Sequence, residues 1–135
     1  MNCSWVIFID REVDKVLILK RSKSVRNPKQ WCFPGGSSKK RSKKKLARAE
    51  ALEEVGIKLK KSHLNKFIDI DLKNKEYNYY VVFSTTARLI NLDKESSKFK
   101  WVKLKSLEHH KNQHQSIRRF VKFVNDNKYK LLEEL

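Results

Sequence analysis

The chain has 135 residues, enough for one ordinary domain spanning 1–135 and too few for two. Its 39% hydrophobic content supplies a core and excludes a disordered chain, while two cysteines exclude a disulfide framework and a four-ligand zinc site. The net charge of +17, from 32 Lys+Arg against 15 Asp+Glu, points to polyanions such as nucleotide phosphates, nucleic acid or anionic lipid, although lysines scattered along the chain equally suit a solubilising surface.

Taken in chain order, residues 4–10 (SWVIFID) and 15–20 (KVLILK) are apolar runs rich in β-formers. The polar REVD between them makes a β-hairpin. Residues 21–30 are polar, basic and broken by Pro28, so they form a loop. WCFP at 31–34 is a short strand stopped by Pro34. Gly35-Gly36 follows, then a basic run with no apolar residue, read as a loop. Residues 46–55 carry a helical pattern with Leu52 and Val55 on its apolar side, Ser42 as N-cap and Gly56 just past the end. KFIDIDL at 66–72 alternates, with Phe67, Asp69 and Asp71 on one side and Ile68, Ile70 and Leu72 on the other. Residues 77–90 form a long aromatic and β-branched strand, and FKWVKL at 99–104 alternates again. A helix begins at about Gln113, with Ile117, Phe120, Val121 and Val124 as the stripe that packs on a sheet. The order of elements predicts an α/β fold with a mixed β-sheet.

The longest apolar runs, such as residues 5–9, are far too short for a transmembrane helix, and no basic segment precedes the first of them as in a signal peptide. A cytoplasmic protein without a membrane partner is expected. Cys3 and Cys32 fall in predicted strands, where Cys packs as a small hydrophobe.

All three glycines lie within 35–56, and between them lies Glu50-x-x-Glu53-Glu54. At about 100° per residue, the three carboxylates share one arc of the helix, where they repel one another unless a cation sits among them. Oxygen-only ligands of this kind suit Mg²⁺ or Mn²⁺, which bind substrate phosphates while keeping several waters. Tyr77, Tyr79 and Tyr80 in the long strand read as core. His63, His109, His110 and His114 have no ligand spacing, and the weak His110-x3-His114 pair reads as surface.

The string WCFPGGSSKKRSKKKLARAEALEEVGI resembles the Nudix box, G-x5-E-x7-R-E-U-x-E-E-x-G-U with U aliphatic. Glu50 takes the place of the first helix Glu, Ala51 of U, Glu53-Glu54 of the acid pair and Ile57 of the last U. Gly36 stands for the first glycine, within a W-x-F-P-G-G lead-in typical of the family. KVLILKRSKS and FKWVKL look like flanking strands, so the resemblance covers roughly residues 4 to 104. It departs in three ways. Gly36 to Gly56 is one residue shorter than the family spacing. The first box Glu is replaced by Ser42, or by Arg41 counting from the helix, and the box Arg by Ala49. A slot three before Trp101, frequently acidic in relatives, holds Lys98, for which Glu95 or Asp93 can substitute.

The resemblance implies the Nudix fold, an α/β/α sandwich with a mixed β-sheet. It implies an enzyme that hydrolyses a pyrophosphate bond in a nucleotide-linked substrate with the help of Mg²⁺ or Mn²⁺. Glu50, Glu53 and Glu54 are the expected catalytic residues and metal ligands. Gly36, Lys39, Lys40 and Arg21 are the expected substrate-binding residues. The lost Glu and Arg leave room for a weakened nucleotide sensor of the same fold. The charge of +17 leaves room for an RNA 5′-end hydrolase acting on a cap or pyrophosphate. Monomer and homodimer stay equally open.

Overall fold

The computed structural model describes residues 1–127, the side chain of residue 72 excepted; residues 128–135 of the expected single domain lie outside this range. The elements are β1 (Asn2–Asp10), β2 (Lys15–Arg21), β3 (Trp31–Cys32), β4 (Gly35–Ser38), α1 (Lys43–Val55), β5 (Asn65–Leu72), β6 (Lys75–Phe83), β7 (Ser96–Lys103) and α2 (Gln115–Asn127). Short 3₁₀ segments lie at Lys61–His63 and Leu104–His109. One sheet runs β3-β2-β1-β6-β5, with β4 added to β1 and β7 to β2. The β1–β6 pair is parallel and the others are antiparallel, so the sheet is mixed.

Strand β1 shows why the chain builds layers on both faces. Every residue from Cys3 to Asp10 is buried. Its odd residues Cys3, Trp5, Ile7 and Ile9 pack with Ile117 and Phe120 of α2. Its even residues Val6 and Phe8 pack with Ala47, Ala51 and Val55 of α1. A strand apolar on both sides has to be covered on both sides, which makes an α/β/α sandwich. Fully burying one large apolar side chain contributes about 1.5–3 kcal/mol. The three tyrosines expected in the core are buried there. Tyr79 also donates its hydroxyl to the Ser116 carbonyl at 2.6 Å, tying β6 to α2. Tyr79→Phe should lower unfolding free energy by about 1 kcal/mol, read as a shifted urea midpoint with an unchanged slope.

Several elements differ from the sequence reading. The strand expected over 77–90 starts at Lys75 and stops at Phe83. It stops because the Asp10 carboxylate accepts the Thr86 N–H at 2.9 Å and the Arg88 N–H turns back onto the Thr85 carbonyl. In β5 the simple alternation fails at a bulge, where Lys66 faces Tyr80 and Ile68 faces Tyr79. The skipped Phe67 therefore joins Ile68 and Ile70 against the same core. Helix α1 starts at Lys43, so Lys43, Lys44 and Lys45 belong to its first turn rather than to a loop. Ser42 holds the N-cap position but its side chain makes no capping bond. The Ser4 hydroxyl instead donates to the Lys43 carbonyl at 2.8 Å, fixing the helix start to β1. Gly56 ends the helix in the left-handed region (φ 73°), its N–H returning to the Leu52 carbonyl at 3.1 Å. Leu52, expected on the apolar side, is 52% exposed; the covered side runs through Leu46, Ala47, Ala51, Glu54 and Val55. Gly35 and Gly36 open β4, antiparallel to β1. Among the described residues, no helix is long and apolar enough to cross a membrane.

Candidate active site

The three glutamates of α1 occupy three different environments. Glu54 sits in the middle of the covered face and is 6% exposed. Its Oε2 accepts the Gly35 N–H at 2.7 Å, so β4 holds the carboxylate in place. Glu50 lies one turn earlier, partly buried against Gly36. A Cβ on Gly36 would lie 2.5 Å from Glu50 Oε1, so the missing side chain is what lets the carboxylate approach the strand. Glu53 turns outward, its side chain 56% exposed, with Arg41 Nη1 at 3.8 Å from its Oε1. An exposed pair at that separation contributes little to stability.

Burial and mutual repulsion decide the charge state of this group. Desolvation first, and the charge of Glu53 next, push Glu50 up to about 7. Desolvation first, and the charge of Glu50 next, push Glu54 well above the usual carboxylate range, against the opposing bond from Gly35. Glu95 and Asp93 raise both further, so the acids just before β7 lie close enough to add to the same negative field.

These carboxylates border a cleft of about 480 Å³ between the C-terminal half of α1, β4 and the start of α2. Its lining includes Gly35, Gly36, Glu50, Glu53, Glu54 and Glu95 on the acidic side. Arg21, Arg26 and Lys75 supply cations, and Asn27, Tyr77, His114 and Gln115 supply neutral polar groups. Of the residues expected to bind substrate, Gly36 and Arg21 line this cleft. Lys39 and Lys40 are exposed and do not line it. The Ser38 hydroxyl takes the Lys40 and Arg41 N–H groups at 3.1 and 2.9 Å, closing the basic loop on itself. Lys43 leaves the cleft altogether to pair with Glu76 and Asp69. Ala49 lies in a separate groove with Lys45, Arg48 and Leu52 on the outer side of α1.

Sequence reasoning missed Arg26, Asn27, Lys75 and His114. The first two are loop residues and Lys75 begins a strand, and only the fold brings them to the cleft. His114 carried a signal in its spacing from His110, but neither histidine is a plain surface residue. His114 is partly buried against Trp5, with ring centroids 5.5 Å apart, and His110 packs edge-on against Trp31 at 5.5 Å. Cys3 and Cys32 are both buried free thiols; burial, and then the Glu54 charge, push Cys32 up to about 12, so its thiol stays protonated.

Among the described residues, no three His, Cys, Asp or Glu side chains are placed so that together they could hold a metal ion. The donor set nevertheless fits a hard divalent cation. The buried Glu54 and the partly buried Glu50 oppose each other's charge and both line the cleft, and a hydrated Mg²⁺ or Mn²⁺ needs only one or two such ligands.

A helix carrying three clustered glutamates, packed against a glycine-led strand within an α/β/α sandwich, defines a Nudix-type domain. The chain belongs to the NUDIX domain family, whose model matches residues 3–123. The match reaches past the strands that suggested it and takes in most of α2. The fold is similar to that of the MutT protein from Methanosarcina mazei, at 20% identity over 96% of both chains with a TM-score of 0.70. It is similar to a bifunctional NMN adenylyltransferase/ADP-ribose pyrophosphatase from Francisella tularensis, solved with AMP and a Mn ion. That likeness has 15% identity over 93% of this chain and 41% of that one, with a TM-score of 0.70. The NUDIX domain of Shewanella oneidensis NrtR, solved with ADP-ribose, is similar at 12% identity over 96% of this chain and 88% of that one, with a TM-score of 0.69. No curated relative matches the chain.

Proposed function

We propose that this protein hydrolyses a pyrophosphate bond in a nucleoside diphosphate linked to another group, with Mg²⁺ or Mn²⁺. The observation that carries the reading is the pair Glu50 and Glu54, a partly buried and a buried acid that repel each other in a cleft also lined by Arg21, Arg26 and Lys75. Such a pair is stabilised by a cation, and such a cleft suits a chain of phosphates. The AMP and Mn ion of one similar structure and the ADP-ribose of another agree with this class of substrate.

Glu50, Glu53 and Glu54 would hold the metal, which when bound neutralises phosphate charge and acidifies a water. The chain's own groups do the rest. The Gly35 N–H holds one oxygen of Glu54 in place, which suits Glu54 to the part of a ligand. Glu53 faces solvent and is the acid placed to take a proton from the attacking water, with Glu95 the second candidate in the cleft. Arg21 and Arg26 line the same cleft as the acids and suit the phosphate oxygens; Arg21 is itself steadied by a bond from its Nε to the Arg26 carbonyl at 2.7 Å. Lys39 and Lys40 would act at longer range, as charges that draw the anion in. Their place outside the cleft favours a free nucleotide over an RNA end as substrate.

The test is a phosphate-release screen across nucleoside-diphosphate-linked compounds and capped RNA, with Mg²⁺, Mn²⁺ or a chelator. Release from small nucleotides with either cation and none with the chelator is expected. Release from none of them, or from capped RNA alone, would sink the reading.

A further inference from the structure

Two grooves meet on the outer side of α1, and neither shares a lining residue with the cleft. The first, of about 250 Å³, runs between Lys45, Arg48, Leu52 and Lys58. The second, of about 280 Å³, shares Lys58 and Leu59 with it and adds His63, Asn65 and Arg88. No Asp or Glu lines either one. Lys45, Lys58 and Arg88 are exposed, and neither they nor Arg48 join an ion pair among the described residues. Arg48 is a mounted cation. It is partly buried, and its Nε donates to the Leu59 carbonyl at 2.9 Å, which fixes the guanidinium and leaves its Nη groups to a ligand. Lys45 lies one turn before it on the same side of the helix. The Arg11 guanidinium, 3.4 Å from the ring centroid of Phe83, brings a further cation beside the second groove.

We infer that the two grooves form one binding surface for single-stranded nucleic acid, which is held through its phosphates and is not presented to the cleft as substrate. The inference does not rest on the hydrolase reading. Cations gathered without a carboxylate repel one another, and a polyanion relieves that repulsion. The donors decide which polyanion. Lys and Arg side chains only donate, and the Leu59 carbonyl is already taken by Arg48. A phosphodiester backbone only accepts, so it matches them throughout. An acidic polypeptide brings an N–H with nearly every residue, and those donors would face other donors. One phosphate occupies one groove, whereas two grooves joined at Lys58 suit a chain of them. A cationic groove that follows the backbone is how proteins hold single strands without reading their sequence.

The probe is a fluorescein-labelled oligouridylate of about 12 nucleotides, within the usual site size, beside the matching oligothymidylate and a polyglutamate of equal charge. Anisotropy titrations of the oligouridylate over a range of KCl should give log K a slope of about −3 against log[salt], as for four phosphates neutralised at about −0.7 each. The triple variant Lys45→Gln, Lys58→Gln, Arg88→Gln should bind about tenfold or more weakly and lose about 2 from that slope. Arg48→Lys keeps the charge without the bond to Leu59, and weaker binding at an unchanged slope is expected. Lys105→Gln, Lys111→Gln, Lys122→Gln removes the same charge on the α2 side of the sheet and should leave the affinity nearly unchanged. Both triple variants should melt as the native protein does, since none of the six side chains is buried. Equal weakening by the two triple variants, polyglutamate bound as tightly as the oligonucleotides, or no binding even at low salt would overturn the inference. So would a loss of nucleotide turnover in the first triple variant, because the surface would then serve the cleft. Oligonucleotide binding with the expected slope in a protein that turns over no nucleotide would uphold the surface while removing the hydrolase reading.

Discussion

Glu54→Gln is expected to reduce turnover by at least ~10²-fold, the scale of losing one electrostatic or acid–base contributor, and to raise the thermal stability of the metal-free protein. The two effects have one cause. Glu54 is held among Ala47, Ala51 and Val55 with its charge opposed by burial and by Glu50. The amide keeps an oxygen for the Gly35 N–H and removes that charge. What favours the fold without metal is thus what disfavours a cation's site. The same logic sets a pH dependence. Glu50 has a folded value of about 7 against an ordinary 4.5, so the folded protein holds its proton more tightly than the unfolded chain does. The stabilising effect of that proton is complete below about 4.5 and is lost as pH rises through about 7; Glu54 acts in the same direction. Metal-free melting temperatures measured across this window should fall with rising pH, and saturating Mn²⁺ should flatten the slope. A Glu53→Gln, Glu54→Gln double variant that binds Mn²⁺ as the native protein does would remove the metal site from consideration.

Gly35→Ala should cost the fold itself, lowering the melting temperature by about 10 °C or more or preventing soluble expression. An added Cβ would collide with the Ser4 carbonyl and the Trp5 ring, both on buried strand β1. Neither can yield, because Ser4 is fixed through its hydroxyl to the start of α1 and Trp5 is packed between the sheet and α2. Overpacking of this kind costs about 1–3 kcal/mol and more where the backbone is the obstacle, and each kcal/mol moves the midpoint of a domain this size by about 2–8 °C. Gly36→Ala is the control. Its Cβ meets the end of the Glu50 side chain, which can swing away, so stability should hold while activity falls. Thermal melts of the two variants side by side decide the matter: equal losses would mean that the glycines do not have these separate roles.

The sequence by itself determined where most of the strands lie, where α1 ends and that its three acids cluster. Two-residue alternation shows where a strand has two faces, and an apolar run such as that of β1 shows that both are covered. The left-handed Gly56 stops α1 for a reason that lies within one turn of chain. The Nudix box could be read through the losses at Ser42 and Ala49 because its remaining acids and glycines keep their spacing. What the tertiary structure alone decided is which side of α1 meets the sheet. Helical periodicity places Leu52 and Glu54 on different sides but does not say which is covered, and the contacts with β1 and β4 cover Glu54 and expose Leu52. The same holds for Phe67, turned inward by a bulge, and for β6, cut short by a carboxylate from β1. The cleft is likewise a product of the fold: Arg26, Lys75 and His114 come from distant parts of the chain, and no local pattern records that three such elements end at the same place. Their chemistry depends on burial and neighbouring charge, which exist only once the layers have packed.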